Sequence, residues 1–447
     1  MPNTKSFAGW ASCDITPPLG IPLGGRGPRF TAADSILDPL FAQATVLQDA
    51  SNRKLVLLSV DLIELSRPQT DRIAFACACL LGCSPQDVIV NASHTHNGPM
   101  MGFARYATLR SMPAELDTYF NWLVDRLIRL VVEARATLTP VAIQWRMGQS
   151  NIGINRRRFV DGEVKLAPND QAPYDRSLWV LELRSTHSPD RRAILFSHAC
   201  HPVMVYGFAW SAISAEWPGQ ARIALRQSLG QDVHCQFFQG MAGNIRPRIM
   251  ADLEKGVFRK ASHEDVITTG QNIARDIVSL IEKPGDSIDL KLASIISSFT
   301  VTRDEDAMPP ASHWEARLNA EDEAPREAAR YWLHRMSPEG IPPYPTTPWP
   351  VGLIQISPNH LIVWMGGEPV AEWRDVISKA LPGQSITAWG YTHDSNGYLV
   401  TDALLPEGGY EVHGTWLSNQ SPAPLKAGLD AAGAAAFRRM YASLSMM

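Results

Sequence analysis

Two histidines separated by one threonine, His94 and His96, lie in VIVNASHTHNGPMM at positions 88–101. Neutral imidazoles converging from one backbone segment suit a Zn²⁺ site, or one metal ligand beside one acid/base group. The apolar run Val88, Ile89, Val90 stops at Asn91-Ala92-Ser93. Side chains of a strand alternate, so extended geometry carried through His94 predicts that both rings project into one space. Asn97-Gly98-Pro99 then predicts a turn where the strand opens onto a cleft.

Other strand ends carry chemistry of the same kind. His198 and His201 stand in SHACHPV, Asn244 and Arg246 in GMAGNIRPR, Glu368 in GGEP, and Tyr391, Asn396 and Tyr398 beyond the apolar run that ends near Trp389. Taken singly, a strand-end histidine caps backbone groups and a glutamate before proline starts a helix. Together, three His-bearing or carboxylate-bearing strand ends predict a shared metal site. Two histidines and a carboxylate, with the fourth position open or taken by tyrosine, make a catalytic zinc arrangement. No Asp-His follows His-x-His, which argues against a dinuclear metallo-β-lactamase site. Arg156 and Arg246 are candidates to bind an oxyanion or a substrate carboxylate, the alternative being solvated surface arginines.

The chain that must position these groups has 447 residues, 45% hydrophobic and 19% charged, with net charge −4. It is long enough for a large core, and its ordinary composition predicts a globular protein. The longest basic cluster is Arg156-Arg157-Arg158, so no nucleic-acid partner is expected. No window approaches the apolar length of a membrane span, and the first twelve residues lack a secretory apolar region. A cytoplasmic location follows as the expectation. It agrees with six cysteines read as free thiols, three of them (Cys77, Cys79, Cys83) packing a helix in preference to holding a metal cluster.

The pattern of elements is α/β. Residues 9–30, dense in Gly and Pro, predict an extended segment with Asp14 and Arg26 as its polar features. Strands are expected at 54–60, 88–90, 142–147, 178–184, 193–198, 234–239, 352–356, 361–365 and 385–391. Helices are expected at 68–82, 116–138, 215–229, 263–283, 369–380 and from 423 onward. Positions 303–350 read as an inserted helical arm with a proline-rich return. SVDLIELS, helix, VIVNASHTHNGP echoes IVWMGGEP, helix, ITAWGYTHDSNGY, which suggests a duplicated layer.

The sequence resembles the catalytic domain of the neutral/alkaline, non-lysosomal ceramidase family. The matching stretches run through most of the chain: CDITPPLG, LLSVDLIEL, NASHTHNGP, NIGINRR, HACHPV, SAEWPGQA, FFQGMAGNIRP, GGEPV and NGYLVTDALLPEGGYEVHG. The resemblance implies one catalytic domain over 1–447, with mixed β-sheets layered with helices. A four-layer αββα arrangement with an internal pseudo-duplication is the further expectation. It also implies zinc held by His94, His201, Glu368 and Tyr398. His96 and Arg156 would then assist at the substrate carbonyl, and Tyr410 falls where the family has another active-site tyrosine. Two departures stand out. Where ceramidases carry a serine before proline, this chain has Arg246 before Pro247. The second is that the catalytic domain is expected here without the family's immunoglobulin-like C-terminal domain.

The expected function is therefore a zinc-dependent hydrolase of an amide, using metal-activated water on a small polar or anionic substrate, which Arg246, Arg248 and Arg26 would suit. Ester, lactone or glycoside hydrolysis at the same site, and a non-catalytic metal-stabilised binding protein, remain as alternatives.

Overall fold

The structure, a computed structural model, describes residues 6–25, 31–339, 346–414, 420 and 423–444. Arg26 and residues 340–345 of the proline-rich stretch lie outside the described residues.

Lys54–Val60 and Val88–Ala92 are continuous apolar runs, as strands covered on both faces should be. They pair in parallel through helix α1, Arg67–Leu81. That helix starts with Pro68 in its first turn and stops at Gly82, whose φ of 64° closes the end as glycine readily does. Helix α2, Ala114–Ala136, buries the stripe Leu116, Phe120, Leu123, Leu127 and Leu130.

Among the described residues, nine strands form one mixed sheet. Its main path runs His234–Gln239, Arg192–His198, Ser177–Ser185, Thr139–Gln149, Phe7–Asp14, Phe41–Gln48, Lys54–Val60, Val88–Ala92. The two ends of this path meet: the Gln239 amide N–H donates to Asn91 Oδ1 at 2.9 Å, and Gln239 Nε2 donates to Ser93 O at 3.0 Å. A second sheet orders Ala293–Thr302, Thr346–Ser357, His360–Met365 and Ser385–Trp389. Pro348 and Pro350 lie inside its second strand. There the strand has Ala293–Thr302 on one side, while its register with His360–Met365 begins only at Val351, so the missing N–H groups cost no ladder bond.

Alternation assigns the faces of this second sheet. Helices α7 (Trp373–Ala380) and α8 (Leu429–Leu444) cover one face, sharing a core with Val351, Leu353, Leu361 and Val363. Ile354, Ile356, Ile362 and Trp364 join the first sheet instead, in a core that holds Trp179, Phe238 and Trp389. The Phe238 and Trp389 rings stack at 4.1 Å. Helices α3 (Glu216–Leu229) and α4 (His263–Ile281) bury their apolar faces against strands of the first sheet. In the stretch of chain between Ala293–Thr302 and Thr346–Ser357, α5 (Ala311–Glu315) and α6 (Glu323–Met336) bury Trp314 and Trp332 with Ala107. No helix among the described residues is long and apolar enough to cross a membrane.

The echo in the sequence corresponds to two parallel strand–helix–strand units. In the first, α1 joins Lys54–Val60 to Val88–Ala92; in the second, α7 joins His360–Met365 to Ser385–Trp389. Their exits touch: Asn91 bridges Thr392, and the Ala92 N–H donates to Tyr391 O at 3.1 Å.

Candidate metal centre and cleft

The strand carrying the first histidine pair ends at Ala92, and His94 has φ 66°. Extended geometry therefore does not persist through His94, contrary to the expectation from alternation. A left-handed, non-glycine backbone is strained and is held here by tertiary contacts. The His94 N–H donates to Leu62 O at 2.9 Å and its Nδ1 to Ile63 O at 2.6 Å, both beyond the end of Lys54–Val60. The His94 and His96 rings still come edge to face, 4.9 Å apart. Gly25 crosses directly over His96: a Cβ added there would lie 2.7 Å from the ring, so only glycine lets the chain pass so closely.

His201 follows Arg192–His198, and its Nδ1 donates to Ala242 O at 2.6 Å in the turn after His234–Gln239. Glu368 opens a two-residue strand paired in parallel with Tyr398-Leu399. A Cβ on Gly243 would meet Glu368 O at 2.7 Å, so that turn packs directly on the segment carrying the carboxylate.

His94, His201 and Glu368 thus converge from three strand ends, each at most 3% exposed. Glu368 Oε2 lies 3.2 Å from His94 Nε2 and 3.4 Å from His201 Nε2. A carbonyl only accepts, so both Nδ1 atoms must be the protonated nitrogens, and each neutral ring then turns an Nε2 lone pair inward. A carboxylate oxygen also only accepts. The three facing atoms are buried and lack a hydrogen-bond partner. Burial pushes the His201 ring down to about 4, so it stays neutral near pH 7. Three acceptors aimed at one another fit a cation held between them, and nitrogen and carboxylate donors suit a divalent transition metal. His94, His96 and His201 also form a group whose ligand atoms lie within 4.8 Å of one another and could hold a metal ion.

The surroundings tune this centre. Glu368 Oε1 accepts from Arg105 Nη2 at 3.2 Å, and Arg105 also pairs with buried Glu64. Burial would raise the Glu368 carboxyl, and the Arg105 guanidinium pulls it the other way. Burial pushes Glu64 up to about 8, against the pull of Arg105. The Tyr391 ring packs on His94 at 4.2 Å. Sequence reasoning passed over Glu64 and Arg105; nothing in a lone glutamate or a GFAR loop marks them. Tyr391 stood among the strand-end residues without a role.

Beside the centre lies a cavity of about 270 Å³, with His96, Arg156, Tyr206, Arg246, Tyr398 and Tyr410 among its walls. Arg156 is pinned: Nε donates to Glu411 Oε1 at 2.8 Å, Nη2 to Tyr398 Oη at 2.9 Å, and the guanidinium lies over Tyr398 and Tyr410. Arg246 Nη2 donates to Tyr206 Oη at 2.7 Å. Arg248 faces elsewhere, donating to Tyr174 Oη at 3.1 Å and lining a separate pocket with Asp276. His198 donates through Nδ1 to Ser177 O, away from the three facing acceptors.

No family model matches the sequence. Among solved structures, the chain is similar to the neutral ceramidase from Pseudomonas aeruginosa, with a TM-score of 0.71 and 17% identity over 99% of this chain and 75% of that one. It is likewise similar to a ceramidase complexed with C2, with a TM-score of 0.72 and 16% identity over 99% of this chain and 76% of that one. The fold is therefore ceramidase-like, and at these identities the likeness is one of fold.

Proposed function

We propose that this protein is a zinc-dependent amide hydrolase acting on a small acylated substrate with an anionic or strongly polar group. The observation that carries the reading is the set of three buried, mutually facing acceptors, His94 Nε2, His201 Nε2 and Glu368 Oε2, opening beside a cavity lined by His96 and Arg156. Tyr398, next to Glu368 across the strand pair, completes the proposed ligand set. When bound, zinc supplies a Lewis acid that polarises a carbonyl and lowers the pKa of water.

The chain's own groups do the rest. His96 stands at the cavity wall, where it takes a proton from the attacking water and returns it to the departing amine nitrogen. Arg156, held rigid by Glu411 and Tyr398, donates to the carbonyl oxygen as negative charge develops there. Tyr410, a wall of the cavity, packs its ring against the Arg156 guanidinium. Arg246 stays protonated and offers no lone pair, so it holds an oxygen of the substrate and does not attack.

The test is metal analysis combined with an amide, ester, lactone and glycoside panel. Purified protein is expected to carry about one zinc per chain. Chelation should abolish amide hydrolysis and added zinc restore it, with long-chain ceramide a poor substrate. Full activity in metal-free protein would sink the metal reading, and ready hydrolysis of ceramide the substrate reading.

A further inference from the structure

Arg246 sits on a wall shared by two cavities. One is the 270 Å³ cavity with His96 and Arg156. The other, about 320 Å³, continues past Val203 and Tyr206 and is lined by Trp210, Met250, Phe258 and Lys260. Among the described residues, no carboxylate lines this outer chamber. Its walls combine aromatic and apolar side chains with the cationic Arg246, Arg259 and Lys260.

The charge state of Arg246 is the second observation. Arg156, Arg157 and Arg222 are buried, Arg105 is partly buried, and each of the four faces a carboxylate. Among the described residues, Arg246 donates only to the Tyr206 hydroxyl and lies over the Phe258 ring at 5.0 Å. Its Nε is buried with no hydrogen-bond partner. Burial lowers its pKa, though a guanidinium remains charged. Arg246 is partly buried, a cation so placed without an anion is costly, and a ligand carboxylate offering two oxygens relieves that cost.

Distance then limits the ligand. Arg246 and His96 wall the same small cavity, so the anion it binds must lie close to the scissile bond. An α-carboxylate, one carbon from an amide nitrogen, meets that demand, and the side chain on the same carbon would enter the outer chamber.

Resting on the amidase reading, we propose that the natural substrates are N-acyl amino acids with an aromatic or large apolar side chain. The α-carboxylate binds Arg246, the side chain lies between Trp210 and Phe258, and the acyl carbonyl faces His96 and Arg156. Hydrolysis breaks the acyl C–N bond. Water gives its oxygen to the acyl carbon and a proton to the nitrogen, releasing a carboxylic acid and the free amino acid.

The experiment compares N-acetyl-L-phenylalanine, its carboxamide and N-acetylglycine on the zinc-loaded full chain. The free acid of phenylalanine is expected to exceed both others in kcat/KM by roughly tenfold or more. Arg246→Gln should erase the preference over the carboxamide while metal content stays unchanged, and Arg246→Lys should keep part of it. Trp210→Ala should erase the preference over glycine. Equal turnover of acid and carboxamide by the unmodified protein overturns the inference and leaves the amidase reading standing. If none of the three is hydrolysed, calorimetry with N-acetyl-L-phenylalanine decides. Binding weakened tenfold or more by Arg246→Gln supports the subsite although the amidase reading falls; no binding, or binding unchanged in the variant, overturns it.

Discussion

At the residue scale, the central question is which atoms would hold the proposed cation. His94 and His201 belong to both possible sets, while Glu368 and His96 compete for the third place. Geometry favours Glu368, because its Oε2 sits within 3.4 Å of both Nε2 atoms and has no other partner. His96 is half-buried at the cavity wall, a better place for moving protons than for closing a metal shell. His94→Ala, His201→Ala and Glu368→Ala are each expected to lose most bound zinc by elemental analysis. His96→Ala is expected to keep zinc and lose roughly two orders of magnitude in rate. Zinc lost from His96→Ala and kept in Glu368→Ala would establish a three-imidazole site instead.

At the scale of elements, the loop after His201 is fastened by one buried side chain. Glu216, first residue of α3 with φ 57°, accepts the N–H groups of Met204 and Val205 through Oε1, both at 2.6 Å. Its Oε2 is buried without a partner, and burial pushes the carboxyl up to about 8. The folded state therefore binds this proton more tightly than the unfolded chain does. Its contribution is full below about 4.5 and is lost as pH rises through about 8. Glu216→Gln should leave the two amide bonds in place and remove that loss. Urea midpoints at pH 5, 6.5 and 8 should then show the variant gaining on the parent as pH rises; parallel curves would rule the account out. Helix α6 fastens another loop in a comparable way. Glu327 accepts from the Thr108 hydroxyl at 2.8 Å, close in sequence to the Arg105 that bonds Glu368.

At the scale of the whole molecule, the site depends on two sheets meeting. Trp389 belongs to the second sheet, stacks on Phe238 of the first and lies 5.7 Å from Trp179. The next residues, Gly390 and Tyr391, receive bonds from the Asn91 side chain and the Ala92 N–H. Trp389→Ala is expected to cost ~3–5 kcal/mol of unfolding free energy, as large aromatic truncations in cores do. It should also weaken metal retention, because Tyr391 and the His94 turn lose their common support. A loss below ~1 kcal/mol in denaturant titration would mean that the sheets do not depend on this contact.

Much of this was determined by the sequence alone, because it depends on neighbours along the chain. Apolar runs made Lys54–Val60 and His234–Gln239 legible as buried strands, and the periodic stripe made α2 legible as a helix. The strand-end positions of His94, His201 and Glu368 followed from the same local pattern, and the motif order carried the likeness in fold. Local patterns failed where a distant group decides. Two prolines concealed the start of Thr346–Ser357, which is tolerated only because one side of the strand is open there. His94 converges on its partners through a left-handed backbone held by Leu62, not through strand alternation. Which imidazole nitrogen faces the centre is set by the carbonyls of Ile63 and Ala242, and the charge around Glu368 by Arg105. These are contacts across tens to hundreds of residues. Their energies depend on burial and approach, which only the assembled sheets provide.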